Sequence, residues 1–162
     1  MIVIGYQGIG KSTIAKHYKN CIDLESGSFW YDGKRPDDWY VYYCQIAEHL
    51  DDQGYTVFLS SHSVVRSWFL NKSHDHDVVC VVPSLELKDE WIEKLHDRYE
   101  ETGLEKDWKA WKNALHMYSE NISEIKQCGL PYMEIVSMQY DLEAAIKKYA
   151  KEIRSKVRTY AR

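Results

Sequence analysis

The chain has 162 residues, 44% apolar and 28% charged, with a formal net charge of −4. That is one domain, long enough to bury a core without disulfide or metal staples and too apolar to be a disordered chain. No apolar run approaches the roughly 18 residues of a membrane span, and the net acidity gives no push toward nucleic acid. Residues 141–162 carry seven Lys/Arg against three Asp/Glu, a local skew read as the solvated face of a helix. Met1-Ile2-Val3-Ile4-Gly5 has neither a basic n-region nor a small-residue cleavage site, which argues against a secretory leader. Cysteines 21, 44, 80 and 128 form no CxxC spacing, so reduced, mostly buried thiols in a cytoplasmic protein are expected.

Along the chain, strands and helices alternate. Met1–Tyr6 is a short apolar run entering a glycine loop and reads as a buried strand; Ser12–Asn20 reads as a helix. Cys21–Glu25 is a second strand, and Gly27–Asp38 a loop. Asp37 or Asp38 caps the next helix, with a stripe of Trp39, Tyr43, Ile46 and Leu50 and a stop at Gly54. Thr56–Ser60 is a third strand, Ser63–Leu70 a short helix, and Asp77–Val82 a fourth strand closed by Pro83. A helix from about Leu87 turns Trp91, Leu95 and Tyr99 to one face and ends at Gly103. Another spans about Lys106–Gln127, with Trp108, Trp111, Leu115, Tyr118, Ile122 and Ile125 as its stripe. Tyr132–Val136 is a fifth strand, and Asp141 caps a last helix whose inner face is Leu142, Ile146, Tyr149, Ile153 and Val157. Five apolar strands separated by helices predict parallel pairing with helices on both faces, a three-layer α/β/α fold.

Gly5-Tyr6-Gln7-Gly8-Ile9-Gly10-Lys11-Ser12 matches G-x-x-x-x-G-K-[ST] in full, between a strand and a helix as the mechanism requires. Gly8 and Gly10 allow backbone conformations that turn successive N–H groups onto a phosphate, and the following helix adds its positive end. Lys11 is expected to reach the β- and γ-phosphates and Ser12 to ligate Mg²⁺. The expected nucleotide-binding set is Gly5, Gln7, Gly8, Ile9, Gly10, Lys11, Ser12 and Thr13.

GYQGIGKST, followed closely by a second strand, resembles the P-loop kinase group of P-loop NTPases. Size and element order are similar to those of nucleoside monophosphate kinases, of small-metabolite kinases such as shikimate kinase, and of small bacteriophage proteins including deoxynucleoside monophosphate kinases. The resemblance implies a five-stranded parallel sheet in the order 2-3-1-4-5, ATP·Mg²⁺ as donor, an acceptor region at about 27–53 and a mobile helical lid at about 86–127. It also implies a host-cytoplasmic location if the chain is phage-encoded. It makes Asp23, at the end of the second strand, a group that holds Mg²⁺ or orients the acceptor; Glu25, two residues on, is expected on the same strand face. After the third strand the acid of adenylate-kinase-like proteins is missing. Ser60-Ser61-His62 stands there, with His62 as a substrate hydrogen-bonding candidate and Arg66 as an acceptor-phosphate clamp. In the 27–36 loop, Phe29, Trp30 and Tyr31 offer planar faces and Lys34-Arg35 offer charge. Arg98 is the lid candidate, sharing a helix face with Lys94 amid many carboxylates. His74-Asp75-His76-Asp77 could hold a metal but lacks a distant partner ligand.

The expected function is therefore ATP-dependent phosphoryl transfer to a small nucleotide, a (deoxy)nucleoside monophosphate first, catalysed through Lys11, Asp23, Arg66 and Arg98. Substrate contacts are expected from Asp23, Glu25, Trp30, Arg35, His62 and Arg66, and metal contacts from Ser12 and Asp23. Two alternatives stand beside it. One is a kinase of a hydroxyl acceptor (a nucleoside, a polynucleotide 5′ end or a small metabolite) with Asp23 as base. The other is a nucleotide-binding regulatory protein with slow hydrolysis.

Overall fold

A strand that is apolar and buried at every position needs cover on both faces. β1 (Ile2–Gly5) and β4 (Val78–Pro83) are both of this kind. The computed structural model describes residues 1–72 and 75–160, with side chains as far as Glu152. Its strands β1, β2 (Cys21–Asp23), β3 (Thr56–Ser60), β4 and β5 (Tyr132–Ile135) form one five-stranded parallel sheet in the order β2-β3-β1-β4-β5, flanked by helices. This is the expected fold. In the register, Ile4 lies between Leu59 and Cys80, and all three are fully buried. After β1 the chain turns toward β2, and after β4 toward β5. The crevice beyond the carboxyl ends of β1 and β4 is therefore the switch point where α/β sheets bind ligands.

The helices are α1 (Lys11–His17), α2 (Trp39–Asp52), α3 (Ser63–Leu70), α4 (Lys88–Thr102), α5 (Glu105–Gln127) and α6 (Leu142–Tyr160). α1 stops three residues before the expected Asn20 because Tyr18 turns extended (φ −123°) to feed β2. β2 ends at Asp23, so Glu25 leaves the strand and opens a 3₁₀ turn instead of sharing a strand face with Asp23. The buried face of α2 is Trp39, Tyr43, Cys44 and Ala47, whereas Ile46 of the expected stripe is 44% exposed.

The stripe assigned to α5 also needs correction. Met117 leaves helical dihedrals (φ −129°, ψ 15°), and Asn121 donates to Asn113 across the break (2.9 Å). Before it the buried residues are Asp107, Ala110 and Ala114, and after it Tyr118, Ile122 and Ile125. Trp108 and Leu115 face outward. A helix that changes direction cannot keep one unbroken 3.6-residue stripe. In α6 the expected cap is present, with Ala144 N–H donating to Asp141 Oδ1 (3.0 Å). Ile153 and Val157 of its expected inner face lie outside the described side chains.

The four cysteines are free. Burial pushes the Cys44 thiol up to about 12 and the Cys80 thiol up as well, so both stay protonated. No helix among the described residues is long and apolar enough to cross a membrane. His74 lies outside the described residues. His76 pairs instead with Asp51 (Nδ1 to Oδ2, 2.8 Å), and no group of three metal-ligating side chains occurs among the described residues.

Candidate functional site

The loop leaving β1 is shaped by its own sequence. Tyr6 N–H donates to Val81 C=O (2.9 Å), which keeps the first loop residue on the sheet. Ile9 is buried and folds back over the end of β1, where a Cβ on Gly5 would come within 2.2 Å of Ile9 Cδ1. A larger residue there would have to displace the buried Ile9 side chain. Gly8 has φ +85°, and a Cβ there would meet Leu95 Cδ2 at 3.0 Å and Trp91 Nε1 at 3.2 Å. Gly10 begins α1 with no side-chain cap. The amides of Gly8, Gly10, Lys11 and Ser12 find no hydrogen-bond acceptor among the described residues. Unpaired amides of this kind are donors that an anion could satisfy.

Lys11 Nζ donates to the carbonyls of Gly5 (3.2 Å) and Tyr6 (3.4 Å), within the loop. Desolvation lowers its pKa, opposed by the charges of Asp23 and Glu25, while Arg98 lowers it further. Ser12 Oγ donates to Asp23 Oδ2 at 2.6 Å. The edge strand β2 thus supplies a carboxylate where β3 has none. Hydroxyl and carboxylate are hard oxygen donors of the kind Mg²⁺ takes, so this pair fits that ion. Glu25 is exposed and reaches across to Lys106 (3.5 Å).

Beside the ends of β2 and β3 lies a cluster of polar and aromatic side chains. Tyr43 OH donates to Leu24 C=O (2.8 Å) and accepts from Ser60 N–H (2.9 Å), tying the two strand ends together. The Arg35 guanidinium lies 4.0 Å over Trp39 and 5.1 Å from the Trp30 ring centre, and Nη2 donates to Ser26 C=O (2.7 Å). His62 keeps an exposed edge, but its ring meets Trp39 edge-on (5.1 Å) and Ser26 Oγ at 3.4 Å. Desolvation on that side, then the charges of Arg35, Arg66 and Lys11, push its pKa down to about 4. The imidazole is neutral at physiological pH. Tyr31 and Lys34 close a tight hairpin over Asp32-Gly33, both at positive φ, and Trp30 stands 55% exposed beside it.

Arg66 is a buried cation, only 5% exposed, ion-paired with Glu124 of α5 and bonded to Ser61 C=O. Its charge is felt at His62, while its guanidinium is engaged by Ser61 C=O and by Glu124 of α5. Arg98 pairs with Asp107 (2.8 Å), a buried carboxylate that also accepts from Thr102 Oγ1 (2.6 Å). Buried side-chain N–H groups without acceptors among the described residues are the Nε of Arg35, Arg66 and Arg98.

A cleft of about 1280 Å³ runs from the loop between α4 and the segment joining β5 to α6. Gly8–Ile14, Lys94, Arg98, Lys106, Tyr140 and Asp141 line it. The region expected as a mobile lid is packed: Trp91, Leu95, Ala114, Tyr118, Ile122 and Ile125 are at most 1% exposed. α4 is a wall of this cleft. Its Trp91 Nε1 donates to Gln7 C=O (2.9 Å), and Tyr140 OH donates to Ile9 C=O (2.8 Å). Gln7 Nε2 ties the loop to Ala110 C=O of α5 (2.8 Å).

Trp91 and Tyr140 carry no motif, and sequence reasoning missed their contact with the loop. Lys94 was legible only as Arg98's neighbour on a helix face. No protein-family model matches the chain, and no curated protein matches it significantly.

Proposed function

We propose that the protein is a P-loop phosphotransferase that moves the γ-phosphoryl group of ATP to a small acceptor, a (deoxy)nucleoside monophosphate being the first to test. The observation that carries this reading is the pairing of a loop of unsatisfied amides with the Ser12–Asp23 contact at its mouth. The amides and the α1 dipole bind the donor's phosphates. Lys11 exchanges its loop carbonyls for phosphate oxygens. Ser12 and Asp23 hold Mg²⁺, which when bound draws charge from the β- and γ-phosphates. Arg98, at the cleft wall, counters charge on the transferring group. Arg35, His62 and the exposed indole of Trp30 meet the acceptor, to which the neutral imidazole donates or from which it accepts one hydrogen bond. Catalysis of this kind needs positioning and electrostatics more than covalent help from the protein.

A hydroxyl acceptor is the second reading. It is favoured by one observation: Arg66, the expected phosphate clamp, is engaged by Glu124. Labelled ATP offered with nucleoside monophosphates, deoxynucleoside monophosphates and nucleosides tests both, with Lys11→Ala as control. Transfer to a monophosphate that Lys11→Ala abolishes while circular dichroism is unchanged supports the first reading. Transfer only to nucleosides supports the second, and transfer to none removes both in favour of a nucleotide-binding regulatory protein. Unchanged turnover in Lys11→Ala overturns the mechanism.

A further inference from the structure

Two carbonyls of the loop are held by side chains from outside it. Gln7 C=O accepts from Trp91 Nε1 (2.9 Å), Ile9 C=O accepts from Tyr140 OH (2.8 Å), and Gly8 C=O lies 3.4 Å from the same hydroxyl. Tyr140 OH has one hydrogen to give and accepts in turn from Lys94 Nζ (2.9 Å). The Lys94 ammonium is fixed over two rings, 4.4 Å from the centre of Trp91 and 5.0 Å from that of Tyr140, and the rings stack at 6.0 Å. A trans peptide is planar, so a carbonyl and the next N–H point in opposite directions. Holding the carbonyl of Gln7 toward α4 and that of Ile9 toward the β5–α6 segment turns the amides of Gly8 and Gly10 the other way. Those of Gly8 and Gly10 are among the amides without an acceptor. The brace comes from two elements distant in sequence, α4 and the β5–α6 segment.

We propose that Tyr140 and Lys94 are positioning residues for the phosphate loop: the Tyr140 hydroxyl, oriented by the Lys94 ammonium, holds the Ile9 carbonyl outward and so aims the following Gly10 amide at a polyphosphate. The inference rests on the nucleotide reading above. Neither residue needs to touch the phosphates for this effect. If the pair acts as one unit, its two members are coupled rather than additive.

The test is titration calorimetry of the full chain with MgATP and with magnesium tripolyphosphate, for wild type, Tyr140→Phe, Lys94→Met, Lys94→Arg and the Tyr140→Phe/Lys94→Met double variant. Melting temperatures are recorded for each. Tyr140→Phe and Lys94→Met are expected to weaken both ligands by about tenfold, the loss of one ~1.4 kcal/mol contact, while the melting temperature moves by only a few degrees. The double variant is expected to be no weaker than the worse single one, and Lys94→Arg to recover most of the affinity. Binding by Tyr140→Phe within twofold of wild type, or additive losses in the double variant, overturns the brace and leaves the nucleotide reading intact. A wild type that binds neither ligand overturns the nucleotide reading itself, and the brace with it.

Discussion

Asp23 is where the chemistry of single residues is most open to measurement. It accepts from Ser12 at 2.6 Å although β3 offers no acid. Asp23→Asn keeps the shape and removes the charge. It is expected to raise the Mg²⁺ concentration needed for ATP binding by roughly tenfold, the worth of a charge-assisted contact, read by titrating Mg²⁺ at fixed ATP. An unchanged Mg²⁺ requirement would take the metal role from this residue. His62 makes a second test, through pH. Its pKa in the fold, about 4, lies below the ordinary 6.5. Between those values the unfolded chain binds more protons than the folded one, so stability falls as pH falls from 6.5 toward 4. Above 6.5 that contribution is complete. Urea midpoints across this window are expected to fall less steeply in His62→Gln, and parallel slopes would mean the ring is not held neutral.

At the scale of elements, α4 matters most because it closes on the loop. Gly8 is left-handed and sits against Leu95 and Trp91. Gly8→Ala is expected to cost about 1–2 kcal/mol from backbone conformation alone, and more from the 3.0 Å approach to Leu95, measured by denaturant unfolding. An unaffected midpoint would show that neither the left-handed conformation nor the approach to Leu95 costs stability. Among the described residues, sequence reasoning identified each α-helix and β-strand but not the 3₁₀ turns, and it misjudged two helix faces. Hydrophobic periodicity assumes a straight helix against one surface. In α5 the break at Met117 re-aims the buried face, leaving Trp108 outside and Ala110 and Ala114 within. In α2 the large Ile46 faces water while the small Cys44 and Ala47 fill the space against the core.

For the whole molecule, the central strands form the buried core, and an ion pair joins α3 to α5. Ile4 is fully buried between β3 and β4, and Ile4→Ala is expected to cost about 2–5 kcal/mol in urea unfolding. The Arg66–Glu124 pair is asymmetric: the arginine side chain is 6% exposed and the glutamate 60%. Glu124→Gln leaves a buried guanidinium without its counter-charge and is expected to cost about 1–3 kcal/mol. Arg66→Met leaves the carboxylate in water and is expected to stay within about 1 kcal/mol of wild type. Equal losses in both variants would mean that Arg66 is not held in a buried environment.

The linear sequence determined the parts that depend on local chemistry. Gly5-Tyr6-Gln7-Gly8-Ile9-Gly10-Lys11-Ser12 marks a glycine loop between a buried strand and a helix, and five apolar runs separated by helices point to a parallel sheet. Only the tertiary structure decided what surrounds that loop. Asp23 crosses from an edge strand to Ser12, Arg66 is drawn to Glu124, and Trp91, Lys94 and Tyr140 converge on the loop's outer carbonyls. These partners lie from eleven to 131 positions apart. Their meeting is set by the packing of layers, to which no local periodicity or spacing corresponds.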